Sequence, residues 1–526
     1  MRPTLRTRAV LSVLLVTAAG SLVAACGGSA PTDGCRVTRS ATKVSANAVS
    51  GSWPYSNGDL ANARDATGSI ISAANVSRLV PAWSFKLTGR AAAGVFSTGS
   101  LSANPIVQNG VVYIQDLHSN VYALALSTGQ LRWEYLCDQP VKSGPGPNGV
   151  AVSGGKVYGL TPTAAFALNA TDGRTIWVSS DLLHKDQGTF GIQPQVAGGR
   201  VYLASQLGSA PGGGVLLALK ASSGAMLWKF NTVAGPDPGV QELGVGAGGA
   251  WDTPLVSGDG SVTYGIGNPY QTAAEAIAHP ALNLYTDSDV NLDAATGKLR
   301  WYYQGVPNDF KDHDMQTSPI ATRSEDVPVV IDSGKMGYVY EMTARTGKLI
   351  WKTPVGAHNG HDNDSLLALE HHLTLKAPFT ILPGPIGGVL TDPAVAGNSV
   401  YVATVDAPLT YTNLDMKSAT KSAGTSGEVE AVSIATGKVE WDTKVPELPL
   451  GAATVSNDLV FTTLYNGELI ALNRNTGTIV YRRQLPASTN SPIAIAGNIV
   501  IVPAGAPATR ARGGGGNPQV VAYTTR

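Results

Sequence analysis

One pattern of apolar and polar positions recurs along the chain. A run of alternating apolar residues meets a Thr/Asp/Ser-Gly turn, and a second alternating run ends on tryptophan. Period-two alternation puts successive side chains on opposite faces, so each run predicts a half-buried β-strand, and the turn joins two strands into a hairpin. The phrase runs from Ala123 through Gly129 to Trp133, from Ala167 through Gly173 to Trp177, and from Leu217 through Gly224 to Trp228. It returns from Leu292 through Gly297 to Trp301, from Thr343 through Gly347 to Trp351, and from Ala431 through Gly437 to Trp441. Trp83 supplies an opening member, and Tyr481 takes the tryptophan place after Gly477, which makes eight copies.

A second hairpin signal precedes many copies: Asn109-Gly110, Gly154-Gly155, Gly198-Gly199, Gly397-Asn398 or Gly497-Asn498. These pairs allow the positive φ that tight hairpin turns require. Two hairpins per repeat make a four-stranded antiparallel sheet, which is one propeller blade. The predicted fold is therefore all-β, an eight-bladed β-propeller, with the last strand around Gln519 to Tyr523 closing the ring against the N-terminal segment. In this frame each repeat tryptophan is a flat wedge between adjacent blades. The steps from Trp228 to Trp301 and from Trp351 to Trp441 are distinctly longer than the rest, which predicts insertions at about 229–300 and 352–440. Extra loops on a rigid scaffold are where sites are usually carried.

Composition sharpens this picture. The 526 residues include 61 Gly and 32 Pro, the punctuation of many turns, and 43% hydrophobic residues, enough for a core and against general disorder. Lys+Arg and Asp+Glu are balanced at 37 each, which argues against a nucleic-acid surface. Arg2, Arg6 and Arg8 precede an apolar run that reaches Ala25, so residues 1–25 read as an export signal. Val23-Ala24-Ala25-Cys26 resembles the bacterial lipobox, which makes Cys26 the lipidated residue. Residues 26–50 read as a flexible tether and 51–526 as a single propeller, anchored by lipid to the extracytoplasmic face of the cell membrane. Cys35 and Cys137 remain for a disulfide, which that oxidising compartment permits and the sequence leaves open. No C-x-x-C-H is present for a covalent haem.

The repeat phrase, together with the opening from Trp53-Pro54-Tyr55 to Asn62-Ala63-Arg64, resembles the pyrroloquinoline quinone (PQQ)-dependent alcohol/methanol dehydrogenase-like quinoproteins, eight-bladed propellers with tryptophan-docking repeats. The similarity spans residues 50–526. It speaks first to fold, since outer-membrane-assembly lipoproteins use a similar propeller without any cofactor.

The resemblance also implies a site. Gly248-Gly249-Ala250-Trp251-Asp252 matches the motif whose tryptophan lies flat under PQQ, and Gly265-Ile266-Gly267-Asn268-Pro269 the motif whose asparagine binds the metal. Those types suit the chemistry: a planar quinone takes an aromatic floor, and a hard cation takes oxygen ligands. The stretch Asp309-Phe310-Lys311-Asp312-His313-Asp314 resembles the catalytic segment, which makes Asp312 the base that accepts the alcohol proton as hydride passes to the quinone. Asp312 and Asp314 join Asn268 as metal ligands, and Asp314 matches the additional carboxylate of lanthanide-using relatives. An extended D-x-D points both carboxylates the same way, an arrangement that needs a cation or a shared proton between them. Lys335 is expected against the quinone oxygens. The implied cofactors are PQQ and Ca²⁺ or a lanthanide.

Departures from the family pattern are equally plain. No adjacent Cys-Cys pair occurs, and the stretch Ala204 to Ser209, where a metal-binding Glu is expected, offers only Gln206 and Ser209. Aliphatic residues replace an expected Asn-Trp pair near Gly387 to Leu390. His358, His361, Asp362 and Asp364 in the second insertion read as a solvated polar loop, with a lid over the entrance as the alternative. The sequence thus supports a lipid-anchored oxidoreductase that takes a small alcohol and passes electrons to an external acceptor. The alternative is a non-catalytic propeller serving as an envelope scaffold or binding module. A hydrolase is disfavoured, since neither G-x-S-x-G nor H-E-x-x-H is present.

Overall fold

The computed structural model describes residues 34–39, 51–89, 100–140, 148–208, 213–233, 247–421, 424–505 and 518–525. Cys26, residues 1–25 and Ser209 lie outside these residues. Eight antiparallel sheets of four or five strands and one of three account for the strands of the described residues. Within most of the four-strand units, strands pair in chain order, as in Leu255–Val256, Ser261–Gly265, Ser288–Asp293 and Leu299–Gln304. The exception joins the two ends of the chain: Leu79–Lys86 pairs with Gln519–Thr525, which continues into Ile499–Ala504 and Ala494–Ala496. Pairing the first long strand with the last one covers the edge that each would otherwise expose to the other and ties the two ends of the chain into one sheet. Strand Arg36–Arg39 adds to the outer edge of the sheet that ends in Leu131–Leu136, and the neighbouring Cys35 and Cys137 form a disulfide with Cα atoms 4.2 Å apart.

The repeat tryptophans do the docking that the pattern predicts. The indole N–H of Trp83, Trp133, Trp177, Trp228, Trp301, Trp351 and Trp441 donates, in that order, to the carbonyls of Leu126, Ala170, Ala221, Ala294, Ala344, Ile434 and Arg474. Each of those carbonyls lies in the Thr/Asp/Ser-Gly turn region of the following repeat. The turn glycine explains its own residue type. At Gly297, φ is +70° and a Cβ would stand 2.7 Å from the Trp228 ring, so a side chain would be both strained and overlapping. Where Tyr481 replaces tryptophan, Arg483 supplies the missing donor, reaching the Leu79 carbonyl at 2.6 Å while its guanidinium lies over the Tyr523 ring.

Residues 53–66 plug the middle of the assembly. Their backbone bonds to innermost strands of four sheets: Trp53 with Val107, Ala61 with Ala321, Ala63 with Val395, and Arg64 with Val455. Arg64 is fully buried. Its guanidinium donates to Ala453 O, Asn57 Oδ1, Asn104 Oδ1, Thr454 Oγ1 and Ile493 O, all within 3.0 Å. Burial lowers its pKa to about 10, against the pull of Asp392 and Asp252, which face it.

Strand order fixes where insertions can go. In a four-stranded meander the turns after strands one and three share one end, and those after strands two and four share the other. The repeat turns take the first end. The second end receives residues 266–287, 305–319, 334–337 and 355–393, and every candidate site residue lies there or just beside it.

Candidate active site

The site draws on the connections of three consecutive sheets. Segment 248–250 sits at its centre, hydrogen bonded on one side by Ala250 N to Ser205 O and on the other by Gly248 N to Asn268 O and Gly267 N to Gly249 O. Gly249 is needed because a Cβ would meet Leu207 N at 2.9 Å and the Gln206 Cα at 3.0 Å. Gln206 and Asn268 therefore flank this segment. Trp251 follows it, and its ring lies 5.8 Å from the Lys335 ammonium.

Trp251 differs from the other eight tryptophans of the chain. Seven dock as above, and the Trp53 indole donates to Ser56 O. The Trp251 indole N–H has no partner. It is held beside Gly267, where a Cβ would approach it to 2.6 Å and Asp314 Oδ1 to 2.7 Å. An aromatic ring outside the docking scheme, with an unsatisfied N–H next to a carboxylate, is placed for something other than blade packing.

Asp312 and Asp314 converge on Lys335, whose Nζ lies 3.0 Å from Asp312 Oδ2 and 2.6 Å from Asp314 Oδ2. The ammonium is the cation that a facing carboxylate pair requires. The backbone route differs from the extended one expected, because Asp312 has a φ of +63°, in the left-handed region. Asp309 enforces that turn: its carboxylate accepts from Lys311 N at 3.0 Å and His313 N at 2.9 Å. Burial drives the Asp312 pKa up to about 7, opposed by Lys335 and reinforced by Asp314. For Lys335, burial pulls downward, but the two aspartates outweigh it and hold the ammonium charged.

Polar atoms left over in this region test what it can hold. Asn268 Oδ1, Asp312 Oδ1 and both polar side-chain atoms of Gln206 are buried without a hydrogen-bond partner, while Asn268 N donates to Asp314 Oδ1 at 2.7 Å. Buried orphan oxygens are uncommon in folded proteins and ask for a ligand. Amide and carboxylate oxygens with no sulfur or imidazole among them suit a hard cation, and Trp251 with Lys335 above it suits a flat anionic ring. The residues present therefore fit both groups, with Gln206 offering a neutral oxygen where the family pattern has an acid. Gly388 and Val389, the aliphatic replacement, lie directly behind Lys335; a Cβ on Gly388 would stand 2.2 Å from Lys335 O.

The stretch His358 to Asp364 is solvated on one side only, with Asn359, Gly360 and Asn363 exposed and Asp364 buried. Lys311 is 1% exposed and donates to the carbonyls of His361 at 2.6 Å and Asp362 at 3.0 Å, which ties residues 358–366 over the Asp309–Asp314 turn. Asn308 reaches Ala276 O at 3.1 Å and Ser365 O at 3.5 Å, linking the short helices Ala273–Ala278 and Asp364–Leu369. Phe310 packs with Ala273, Ala276, Phe379 and Tyr411 to form the core of this cap. The histidines do not converge on a metal. His358 pairs with Asp362 at 2.6 Å and His361 with Asp364 at 2.7 Å.

Two features escaped the sequence. Asp287 is fully buried with both carboxylate oxygens unpartnered, and burial followed by Asp309 and Asp314 lifts its pKa well above the carboxylate range. Tyr270, just after Asn268-Pro269, is close enough for Asp314 and Asp312 to raise its hydroxyl further after burial has done so. Each sits in an ordinary-looking turn sequence, and only the left-handed backbone at both, φ +51° and +55°, marks them out.

This is a propeller with an aromatic, lysine and carboxylate centre under a cap of two insertions, and comparison with known proteins agrees. The family model for the PQQ "glucose/ethanol/alcohol dehydrogenase, beta-propeller domain" matches residues 53–151 and 189–357, and the chain belongs to that family. A model for the outer membrane protein assembly factor BamB matches residues 425–525. A quinohemoprotein alcohol dehydrogenase of Comamonas testosteroni is 27% identical over 375 residues, 64% of this chain and 51% of the relative, so the chain spans about half of that protein. The quinoprotein alcohol dehydrogenase PedH of Pseudomonas putida is 25% identical, with 79% of each chain covered. Among solved structures, the Comamonas testosteroni quinohemoprotein alcohol dehydrogenase gives a TM-score of 0.76 at 21% identity, covering 90% of this chain and 80% of the other. A europium-containing methanol dehydrogenase gives 0.72 at 18% identity, covering 90% and 98%.

Proposed function

We propose that the protein is a lipid-anchored, extracytoplasmic quinoprotein oxidoreductase that oxidises a small alcohol. PQQ would rest on Trp251, with Ca²⁺ or a lanthanide held by Asn268 and Asp314 and with Asp312 left as the base. The observation that carries this reading is the convergence of Asp312, Asp314 and Lys335 beside a tryptophan that takes no part in blade docking. When bound, PQQ would supply an electrophilic carbonyl as the hydride acceptor for the alcohol carbon, and the cation would supply the polarising charge.

The chain's own residues do the rest. Asp312 Oδ2 is engaged by Lys335 while Oδ1 is free, so Oδ1 is the atom that accepts the hydroxyl proton. Lys335 holds that carboxylate in place and offsets the charge of its neighbour. The cap would keep water from the reacting atoms, and Tyr270 and Tyr411 stand near enough to Asp312 for its charge to add to the upward shift that burial gives their hydroxyls. Electrons leave to a separate acceptor.

Asp314→Ala should selectively weaken the lanthanide-loaded form, at least tenfold in metal affinity, with a smaller loss for Ca²⁺, because the trivalent ion gains more from the extra charge. Titration of both ions into wild type and variant in the presence of PQQ checks this, and equal losses for both ions would count against Asp314 as a ligand. The lipid anchor has its own test. Radiolabelled fatty acid fed to expressing bacteria should mark the wild-type protein and leave Cys26→Ser unlabelled; label on both would remove the anchor from the proposal.

A further inference from the structure

We infer that the sheet formed by Ser399–Asp406, Ser426–Ser433 and Val439–Val445 carries a second, separate site for a hard divalent cation, Ca²⁺ by its donor chemistry, held by Glu428, Glu430 and Asp442. One carboxylate oxygen from each of the three lies within 4.8 Å of the others. Residues two apart on a strand share a face, and the register sets Asp442 opposite Glu430 and Lys444 opposite Glu428. The four side chains therefore form one patch.

An independent feature points to a ligand there. Thr404, opposite Glu428 on the other neighbouring strand, is fully buried, and its hydroxyl has no partner. Gly356 packs closely against the same patch. Its N–H donates to Glu430 Oε2 at 2.9 Å, and a Cβ on it would stand 3.0 Å from Thr404 Oγ1 and 3.3 Å from Asp406 Oδ1. Three clustered carboxylates and an unsatisfied buried hydroxyl thus share one face of the sheet, with Asp406 two residues along the strand from Thr404.

The positive charge there now is Lys444, whose ammonium contacts Glu428 and lies 3.4 Å from Asp442. Its side chain is 68% exposed, so it can swing into solvent and yield its place. One lysine faces three carboxylates, so the group holds more negative charge than its counterion offsets. All-oxygen donors with no imidazole or thiolate select Ca²⁺ over softer metals. Position suggests what the ion does. Glu430 and Asp406 accept from Gly356 N and Ala357 N, the first residues of the connection that carries helix Asp364–Leu369 over Asp312, so the ion fastens the root of the cap.

Calorimetric titration of the full-length, quinone-free protein with CaCl₂ tests the site apart from the proposed catalytic one. Wild type and Asp314→Ala should both bind at this site. Asp442→Asn, at an exposed position that spares folding, and Glu430→Gln should each bind at least tenfold more weakly. Lys444→Met should bind at least as tightly as wild type, because a competing cation has gone. Wild-type stoichiometry and affinity in both Asp442→Asn and Glu430→Gln would overturn the inference, as would complete loss of Ca²⁺ binding in Asp314→Ala.

Discussion

Asp312→Asn is expected to lower alcohol turnover by about 10²–10⁴-fold, the usual range for loss of a positioned general base, while the protein still takes up PQQ. The amide keeps the shape of the carboxylate but cannot accept a proton from a hydroxyl. Lys335 retains its 2.6 Å ion pair with Asp314, so the centre should not collapse when Asp312 loses its charge. The left-handed turn that presents residue 312 is built by Asp309 through its bonds to Lys311 N and His313 N, and asparagine tolerates that conformation well. Dye-linked turnover and PQQ retention, measured on the same preparation, check both halves. Near-normal turnover in the variant would remove Asp312 from the role of base.

The largest stability effect is expected at a residue with no part in the chemistry. Arg64→Ala should destabilise the fold by about 3–5 kcal/mol, the cost seen when one partner of a buried charged network is removed. Five acceptors from four separate stretches of chain would lose their donor, and Asp392 and Asp252 would lose the positive charge that faces them. Three of those stretches belong to or adjoin innermost strands and the fourth, at Asn57, lies in the plug itself, so the loss falls on the centre of the ring and not on one blade. Arg64→Lys should recover little, since a single ammonium cannot reproduce the planar fork that serves Asn57, Asn104 and Thr454 together. Urea unfolding of wild type and both variants gives the comparison; a loss below about 1 kcal/mol in Arg64→Ala would show that the plug is dispensable.

The fold was largely legible in the sequence because its signals are local. Period-two runs, Gly turns and a tryptophan at a fixed offset are all read within a few residues, and each docking tryptophan meets its carbonyl in the next repeat. Arg64 was visible as part of an opening motif, but its role was not, because its partners near 104, 454 and 493 are joined only by ring closure. Asp312, Asp314 and Lys335 could be named from motifs, yet their shared ion pair depends on a left-handed turn that no residue type announces. The polar stretch His358 to Asp364 misled for the opposite reason. Its hydrophilic residues suit a solvated loop, but two of its carbonyls accept from the buried Lys311, a contact set by packing between two insertions far apart in the chain. Gln206 could be read as the neutral residue standing where the family pattern has an acid, but not as a side chain buried with both polar atoms unsatisfied, which only the packing around it shows.

Reconstitution decides whether this centre binds a quinone and a metal and oxidises alcohols. Purified protein incubated with PQQ and either Ca²⁺ or a lanthanide should acquire the cofactor's absorbance in about one-to-one stoichiometry and then reduce an artificial electron acceptor only when an alcohol is added. Absence of PQQ uptake with either ion would contradict the account and leave a non-catalytic propeller, the scaffold or binding module, as the reading of this chain.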